Sequence, residues 1–124
     1  MVRRRFLVGM TSVLALGALG AIAAPPPHEQ LRIDKLIRFI ENHHDMKFIR
    51  NGREYTCDEA AKFLRGKLES MGSEVTTARE FIERIGTKSS MSGIPYHVKF
   101  ANGKMMPAAQ FLSDELKRME AQPA

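Results

Sequence analysis

The chain alternates between segments whose apolar residues recur at helical spacing and short segments typical of strands. The first helix is predicted from about residue 28 to residue 43, because its apolar residues follow the spacing i, i+3, i+4 and i+7 and share one face. These residues are Ile33, Leu36, Ile37 and Ile40. Charged residues occupy much of the rest of this stretch, as expected for a helix that buries one face and exposes the other.

Two further helices are predicted to begin at capping boxes. In each box a threonine accepts from the backbone N–H three residues later, and the glutamate at that position bonds back to the threonine. The boxes are Thr56–Glu59 and Thr77–Glu80. The first of these helices is predicted to end at Gly72 and the second at Gly86, since glycine readily adopts the left-handed conformation that often ends a helix. A fourth helix is predicted to begin at Pro107.

Two β-hairpins are predicted from Asn-Gly pairs that lie between short β-prone runs. The pairs are Asn51-Gly52 and Asn102-Gly103. Both central residues of a type I′ turn need a positive φ, which Asn and Gly tolerate better than other residues. Asn51-Gly52 is therefore expected to form a type I′ turn, and Asn102-Gly103 is expected to turn the second hairpin.

Each predicted hairpin is followed by a helix with the same pattern, AAxFLxxxL, at residues 60–68 and 108–116. This favours an internal repeat, although two unrelated amphipathic helices can also share such a pattern. A single hairpin is only marginally stable in water, so the two hairpins are expected to join in one antiparallel sheet. The predicted fold class is α+β, with two β-hairpin–helix units, an N-terminal helix and a linking helix.

The start of the chain has the pattern of an export signal. Three arginines at positions 3–5 precede a long uncharged stretch that ends in small residues up to Ala23. We expect a signal peptide over residues 1–23, cleaved after Ala23, and a periplasmic or secreted protein with no membrane span after processing. The alternative is an uncleaved anchor, because the apolar stretch is near the lower length limit for crossing a bilayer. Residues 24–30 are predicted to form a proline-rich spacer and residues 31–120 a single α+β domain.

The net charge argues against a nucleic-acid partner. The 124 residues carry 19 basic and 14 acidic side chains, a formal charge of +5. Without the three arginines of the leader, 16 basic residues and a net charge of +2 remain, which is too little for a nucleic-acid-binding domain.

The single cysteine, Cys57, excludes a disulfide-rich scaffold and a cysteine-rich zinc site. In an oxidising compartment it could link two chains, so the oligomeric state stays open and includes a Cys57-linked dimer.

Several segments resemble a known family. The runs FIRNG at 48–52, EAA at 59–61 and KSSMSG at 88–93, together with Tyr96, are similar to those of small exported bacterial proteins called domain of unknown function 5329. The resemblance spans nearly all of the chain after the leader. It implies export and the domain boundaries, and it implies no chemistry.

The loop before the second hairpin is the first candidate for a binding site. Its serine hydroxyl groups and flexible backbone could bind an anion, a glycan or a peptide carboxylate, and its tyrosine could stack on a sugar. The candidate residues are Lys88, Ser89, Ser90, Ser92, Gly93 and Tyr96. The alternative is a connector whose hydroxyl groups cap the neighbouring elements and whose tyrosine is half-buried.

Basic residues flank both predicted hairpin turns. Arg50 and Arg53 surround the first turn, and Lys99 and Lys104 surround the second. If the turns are adjacent, they form a basic rim that could bind anionic lipid or cell-wall polymer. The alternative is charge on edge strands that prevents aggregation. Arg50 and Arg53 therefore join the candidate binding residues.

The sequence favours a non-catalytic protein without a metal ion or a cofactor. His43 and His44 are neighbours at a helix end and point about 100° apart, so they cannot readily share one metal ion. The alternative is a small hydrolase or thiol enzyme using Ser90 or Cys57 with His97, although the chain has no nucleophile-elbow motif. We expect an interaction module of the cell envelope, whose partner is an envelope protein, a peptide or a cell-wall component.

Overall fold

The computed structural model describes residues 25–122, and the predicted signal peptide lies outside these residues. The described elements, in chain order, are α1 (Pro27–Glu41), β1 (Lys47–Arg50), β2 (Arg53–Thr56), α2 (Cys57–Met71), α3 (Ala78–Phe81), β3 (His97–Lys99), β4 (Met105–Pro107) and α4 (Ala108–Ala121). A 3₁₀ turn, Gly72–Glu74, follows α2, and a π-helical turn, Ile82–Gly86, continues α3.

The two hairpins join in one antiparallel sheet, as the sequence predicts. The strand order is β2-β1-β3-β4, so β1 and β3 lie in the middle, where Phe48 is paired with Val98. The α+β fold class is therefore confirmed. Asn51 and Gly52 have φ values of 50° and 78°, the left-handed conformation that a type I′ turn requires.

The antiparallel pairing of β1 with β3 separates the two hairpin turns. Lys47 is opposite Lys99 and Ile49 is opposite His97, so the turn after β1 and the turn after β3 lie at opposite ends of the sheet. The predicted basic rim formed by both turns is therefore wrong. Lys99 instead forms an ion pair with Glu54 of β2, with 2.9 Å between Nζ and Oε2.

The helices cover one face of the sheet and enclose the core. Phe48 and Val98 are buried on this face, whereas the alternation of side chains places Ile49 and His97 on the other face. Helix α2 packs against β1 and β2, α4 packs against β3 and β4, and α1 packs against the other three helices. The two hairpin–helix units therefore pack alike, which supports the predicted repeat. The largest fully buried side chains include Tyr96, Phe48, Phe81, Leu36 and Leu64.

The two glycines at predicted helix ends do not act as left-handed caps. Gly72 has a φ of −57°, which is right-handed, and the chain continues from it into the 3₁₀ turn. Gly86 ends the π-helical turn, but it is needed for a different reason. A Cβ at this position would lie 2.8 Å from Cδ1 of Leu112, so the glycine allows α4 to approach closely.

The two capping boxes differ in detail. The first is complete, with both reciprocal bonds between Thr56 and Glu59. In the second, Thr77 accepts from the Glu80 N–H at 3.0 Å, but the Glu80 carboxylate accepts from the N–H and the hydroxyl of Thr76, both at 2.8 Å. The reciprocal half of the second box is therefore shifted by one residue. Bonds from the Thr56 and Thr76 backbone N–H groups lower the pKa of Glu59 and of Glu80, because they stabilise the ionised carboxylates.

Helix α1 begins and ends earlier than the sequence suggests. It starts at Pro27, within the stretch predicted to be a spacer, and it ends at Glu41 instead of His43. A proline at the first helical position is favourable, because its φ is already helical and its missing N–H would have no partner inside the helix. The third proline of the run therefore starts α1.

We expect alanine substitutions at two glycines to have opposite effects on stability. A Cβ would meet no atom within 4 Å at either Gly52 or Gly66, so packing does not distinguish them. Gly52 has a φ of 78°, and Gly52→Ala should lower the free energy of unfolding by about 1 kcal/mol. Gly66 lies inside α2, and Gly66→Ala should raise it by up to about 1 kcal/mol. Denaturant unfolding measures both changes in the free energy of unfolding. If both variants gain or both lose stability, the backbone argument is wrong.

Candidate functional site

A cavity of about 140 Å³ lies where the end of β1, the middle of α2 and the loop before β3 meet. We call it the cationic pocket. Its lining residues are Arg50, Phe63, Lys67, Ser89, Ser90, Met91 and Tyr96. The pocket therefore combines two cations, two hydroxyl-bearing serines and aromatic walls in one place.

Arg50 reaches the pocket because of its place in β1. It lies two residues after the buried Phe48, so its side chain leaves the sheet on the helix-covered face. The guanidinium carbon lies 4.5 Å from the ring centroid of Phe63, a cation–π contact. Its Nε is buried and has no hydrogen-bond partner, and no other buried side-chain nitrogen or oxygen in residues 25–122 shares that condition. The guanidinium is thus held in place without all of its donors being satisfied.

Lys67 enters the pocket from α2. Its Nζ donates to the carbonyl oxygens of Ile85 at 3.1 Å and Lys88 at 3.0 Å, and to the hydroxyl oxygen of Tyr96 at 3.1 Å. These three acceptors use all three donors of the ammonium group and carry no charge. Burial lowers the pKa of Lys67, and the neighbouring Arg50 lowers it further. Lys67 is therefore well bonded, but its charge is not neutralised.

The two cations share one aromatic ring and have no acidic partner nearby. The Lys67 Nζ lies 5.8 Å from the centroid of Phe63, the same ring that Arg50 covers. Among residues 25–122, neither cation lies within 4 Å of a carboxylate. Two like charges held together in a half-buried place repel each other, and an anion between them would remove that repulsion.

Tyr96 forms the floor of the pocket. Only 1% of its surface is exposed, and its ring packs against Phe48 and Phe63 with centroid distances of 5.1 Å and 5.6 Å. Burial raises the pKa of the Tyr96 hydroxyl, and the nearby Arg50 opposes that increase. The ring is therefore mainly a core side chain, and its hydroxyl oxygen accepts from Lys67 at the pocket surface.

Hydrogen bonds fix the shape of the loop of residues 87–95, which we call the serine loop. Ser89 is buried, its N–H donates to the Ile94 carbonyl at 3.0 Å, and its carbonyl accepts from the Gly93 N–H at 2.9 Å. The Ser92 hydroxyl donates to Oδ1 of Asn51 at 2.6 Å, which joins the loop to the first hairpin turn. The loop is therefore a closed turn attached to the sheet, with Ser90 exposed beside the pocket.

The structure brings together some of the predicted site residues. Arg50, Ser89, Ser90 and Tyr96 line the cationic pocket. The others act elsewhere: Ser92 and Gly93 shape the loop, Lys88 gives its carbonyl oxygen to Lys67, and Arg53 lies outside the pocket with its guanidinium 5.8 Å from the Tyr55 ring.

Sequence reasoning missed Lys67 and Phe63. The signal was present, because Lys67 follows Ala60 by seven residues and Phe63 by four, which places it on the buried face of α2. A lysine on an otherwise apolar face is unusual, since burying its charge is costly without a partner. The identity of that partner could not be read from the sequence, because Tyr96 and the two carbonyl groups come from distant parts of the chain.

A second, apolar pocket lies next to the first. It has a volume of about 170 Å³ and lies between α2 and the β1–β2 hairpin. Its lining residues are Phe48, Arg50, Tyr55, Glu59, Ala60 and Phe63. Arg50 and Phe63 line both pockets, so the stacked pair forms the wall between them.

Two larger grooves of about 280 Å³ and 360 Å³ lie beside α1, one along α2 and one along α4. Their arginines are already paired with carboxylates. Arg65 pairs with Asp34 at 2.9 Å, and Arg118 pairs with Glu115 on α4. Lys35 of the second groove also has no carboxylate within 4 Å among the described residues, but it is exposed, whereas Arg50 and Lys67 are half-buried. Size alone therefore does not identify the site, and half-buried unpaired charge distinguishes the cationic pocket.

The structure does not bring together the residues of the catalytic alternative. His97 lies on the face of the sheet away from the helices, whereas Ser90 borders the cationic pocket and Cys57 belongs to the core.

His43 bonds through Nδ1 to the Phe39 carbonyl oxygen at the end of α1. In the part of the chain that the structure describes, no three His, Cys, Asp or Glu side chains are grouped as metal ligands, and no helix is long and apolar enough to cross a membrane.

We expect the Cys57 thiol to be unreactive in the folded protein. It is 3% exposed, its Sγ donates to the Met46 carbonyl oxygen at 3.2 Å, and burial raises its pKa to about 11. Because the thiolate is the reactive form, a chromogenic disulfide reagent at pH 8 should react slowly with the native protein and rapidly in guanidinium. Rapid native labelling, or a disulfide-linked dimer on a non-reducing gel, would contradict this burial argument.

Comparisons with known proteins agree on the family and supply no activity. The family described as "Family of unknown function (DUF5329)" matches residues 27–120. The chain is also similar to the uncharacterized protein YfeK of Salmonella typhimurium (strain LT2), with 37% identity over 84 residues, which cover 68% of this chain and 70% of that protein. No solved structure matches the chain.

Proposed function

The chain belongs to the DUF5329 family, whose function is unknown, and on that premise we propose that it is a non-catalytic binding module of the cell envelope. Its binding site is the cationic pocket, and the group that it binds is an anion. Arg50 and Lys67 supply the charge, while Ser90 supplies a hydroxyl group at the entrance. The domain needs no cofactor for this role.

One observation carries the proposal: two neighbouring cations lie in a half-buried pocket, and no carboxylate of residues 25–122 lies within 4 Å of either. Buried charges are expensive unless they are paired, so folded proteins normally supply a counter-charge. Here Glu59 is bonded to Thr56 and Glu54 to Lys99. Glu54 of β2 and Glu59 at the start of α2 therefore each have another partner, and although Glu59 lines the adjoining pocket, neither lies within 4 Å of Arg50 or Lys67. The cationic pocket is thus suited to an anion from outside the chain.

A titration with acetate and with phosphate, followed by amide NMR, tests the proposal. We expect the shifts to concentrate on residues 89–96 and on the end of β1, with millimolar affinity. Arg50→Gln should raise the dissociation constant at least about tenfold, because a charge-assisted hydrogen bond contributes about 1.5–3 kcal/mol. Arg53→Gln removes the same charge from the same hairpin outside the pocket, so it should leave the affinity nearly unchanged.

The control variant separates a specific site from general attraction to a basic surface. If Arg50→Gln and Arg53→Gln weaken binding equally, the anions bind only through the net charge. If neither anion causes localised shifts, the two cations have a purely structural role and the proposal is wrong. High salt should weaken binding in the wild type, since part of the attraction is screened.

The envelope location is the second half of the proposal. It is supported by the arginines at positions 3–5, the uncharged stretch that follows them and the small residues up to Ala23. Mass spectrometry of the protein purified from expressing cells should give a chain that begins at Ala24. An intact Met1 in the membrane fraction would instead support the uncleaved anchor.

A further inference from the structure

We infer that the ligand of the cationic pocket is the C-terminal residue of a peptide, with its carboxylate in the cationic pocket and an apolar side chain in the adjacent apolar pocket. This inference rests on the proposed function, because it assumes that the cationic pocket binds an anion. It adds the chemical class of the ligand. The juxtaposition of the two pockets across one shared wall carries it.

The shared wall places the two pockets directly next to each other. Arg50 and Phe63 line both pockets, so a bound carboxylate and a bound apolar group are separated by one stacked pair of side chains. A C-terminal amino acid carries its carboxylate and its side chain on the same carbon. That arrangement fits two small adjoining pockets, whereas inorganic phosphate would leave the apolar pocket empty.

The size and lining of the apolar pocket favour a single side chain. It holds about 170 Å³, and four of its six lining residues present aromatic rings and a methyl group: Phe48, Tyr55, Ala60 and Phe63. The other two, Arg50 and Glu59, add one positive and one negative charge to its lining. A long acyl chain would need a longer channel, and a sugar would place most of its hydroxyl groups against aromatic rings and a methyl group that cannot bond to them. An aliphatic side chain of moderate size fits the volume of the pocket and needs no hydrogen-bonding partner.

The neighbouring strand offers a way to bind the rest of the peptide. Strand β2 is an edge strand of the described sheet, and its Tyr55 lines the apolar pocket. An edge strand presents backbone N–H and carbonyl groups that a peptide can pair with, and strand addition combined with capture of the C-terminal carboxylate is a recurring form of peptide recognition. A glycan or a lipid has no equivalent pattern of backbone groups.

A ligand series tests the inference on the protein purified from expressing cells. The probes are acetate, N-acetylglycine, N-acetylleucine and N-acetylleucine amide, with octanoate as a fatty-acid comparison, and amide NMR gives each dissociation constant. N-acetylleucine should bind at least about tenfold more tightly than N-acetylglycine, since burying a leucine side chain favours binding by roughly that factor or more. The amide should bind much more weakly, and Arg50→Gln should remove the preference for the acid while Arg53→Gln keeps it.

Each other outcome has a definite meaning. If acetate binds in an Arg50-dependent way but leucine gives no gain over glycine, the inference is wrong and the proposed anion site survives. If phosphate binds in an Arg50-dependent way but no carboxylate does, the inference is wrong and the proposed anion site survives. If neither phosphate nor any carboxylate binds, the proposed function itself fails. Equal binding of acid and amide would show that the carboxylate is not recognised, and tighter binding of octanoate would assign the site to a fatty acid; either result overturns the inference.

Discussion

Tyr96→Ala is expected to lower the free energy of unfolding by about 3–5 kcal/mol, the range typical of removing a large buried aromatic side chain. Tyr96 is 1% exposed and its ring contacts those of Phe48 and Phe63, so the substitution leaves a cavity between the sheet and α2. Such a loss is a large fraction of the stability of a small domain. Urea unfolding followed by circular dichroism measures it.

Tyr96→Phe separates the ring from the hydroxyl group. This variant keeps the packing and removes the acceptor of Lys67, so it should cost about 1 kcal/mol. A Tyr96→Ala variant that loses no more stability than Tyr96→Phe would contradict the assignment of the ring to the core. The comparison also matters for binding, because only Tyr96→Phe is expected to keep enough structure for a titration.

The fold was predictable where local chemistry determines structure. The Asn51-Gly52 turn and the Thr56–Glu59 capping box each depend on a few adjacent residues, and both are present in the structure. The union of the hairpins in one sheet followed from the need of a marginal hairpin for a partner. The relative direction of β1 and β3 did not follow, because the pairing of Lys47 with Lys99 is a long-range choice that leaves no local signal.

The difference between local and long-range interactions also explains the wrong predictions at helix ends. Gly72 has the residue type of a left-handed cap, but the chain continues into a 3₁₀ turn. Gly86 is a glycine because Leu112 of a distant helix lies against it. In both cases the residue type was informative about a special position, but the reason for it lies in tertiary packing.

The candidate site was half-predictable for a related reason. The serine loop could be identified by its composition and Arg50 by its position beside a turn. Lys67 could be identified only by noticing that it lies on the apolar face of its predicted helix. Its counterparts, Tyr96 and the carbonyl groups of Ile85 and Lys88, are assembled only by folding. A pocket defined by an unbalanced charge can be recognised only when all surrounding charges are placed.

The second large effect is expected at Glu29, a buried carboxylate that joins two helices far apart in sequence. Its Oε1 accepts from the Ala78 N–H at the start of α3 at 2.7 Å, and its Oε2 accepts from Arg32 at 3.1 Å. Glu29→Ala leaves the buried Ala78 N–H without a partner, and the free energy of unfolding should fall by about 2–3 kcal/mol. Glu29→Gln keeps an acceptor oxygen and should cost less.

Glu120→Ala is the matched control, because Glu120 also contacts Arg32 but lies at the surface, with 3.8 Å between Oε2 and Nη1. An exposed ion pair contributes about 0–1 kcal/mol, so this variant should be nearly neutral. A loss at Glu29→Ala no larger than that at Glu120→Ala would mean that the bond to Ala78 does not stabilise the contact between α1 and α3. A larger loss at Glu29→Ala than at Glu120→Ala, with a smaller loss at Glu29→Gln, would show that the Glu29 side chain fixes the start of α3. The π-helical turn that follows α3 supplies the Ile85 carbonyl to Lys67, so the stability of this contact and the shape of the cationic pocket depend on the same segment.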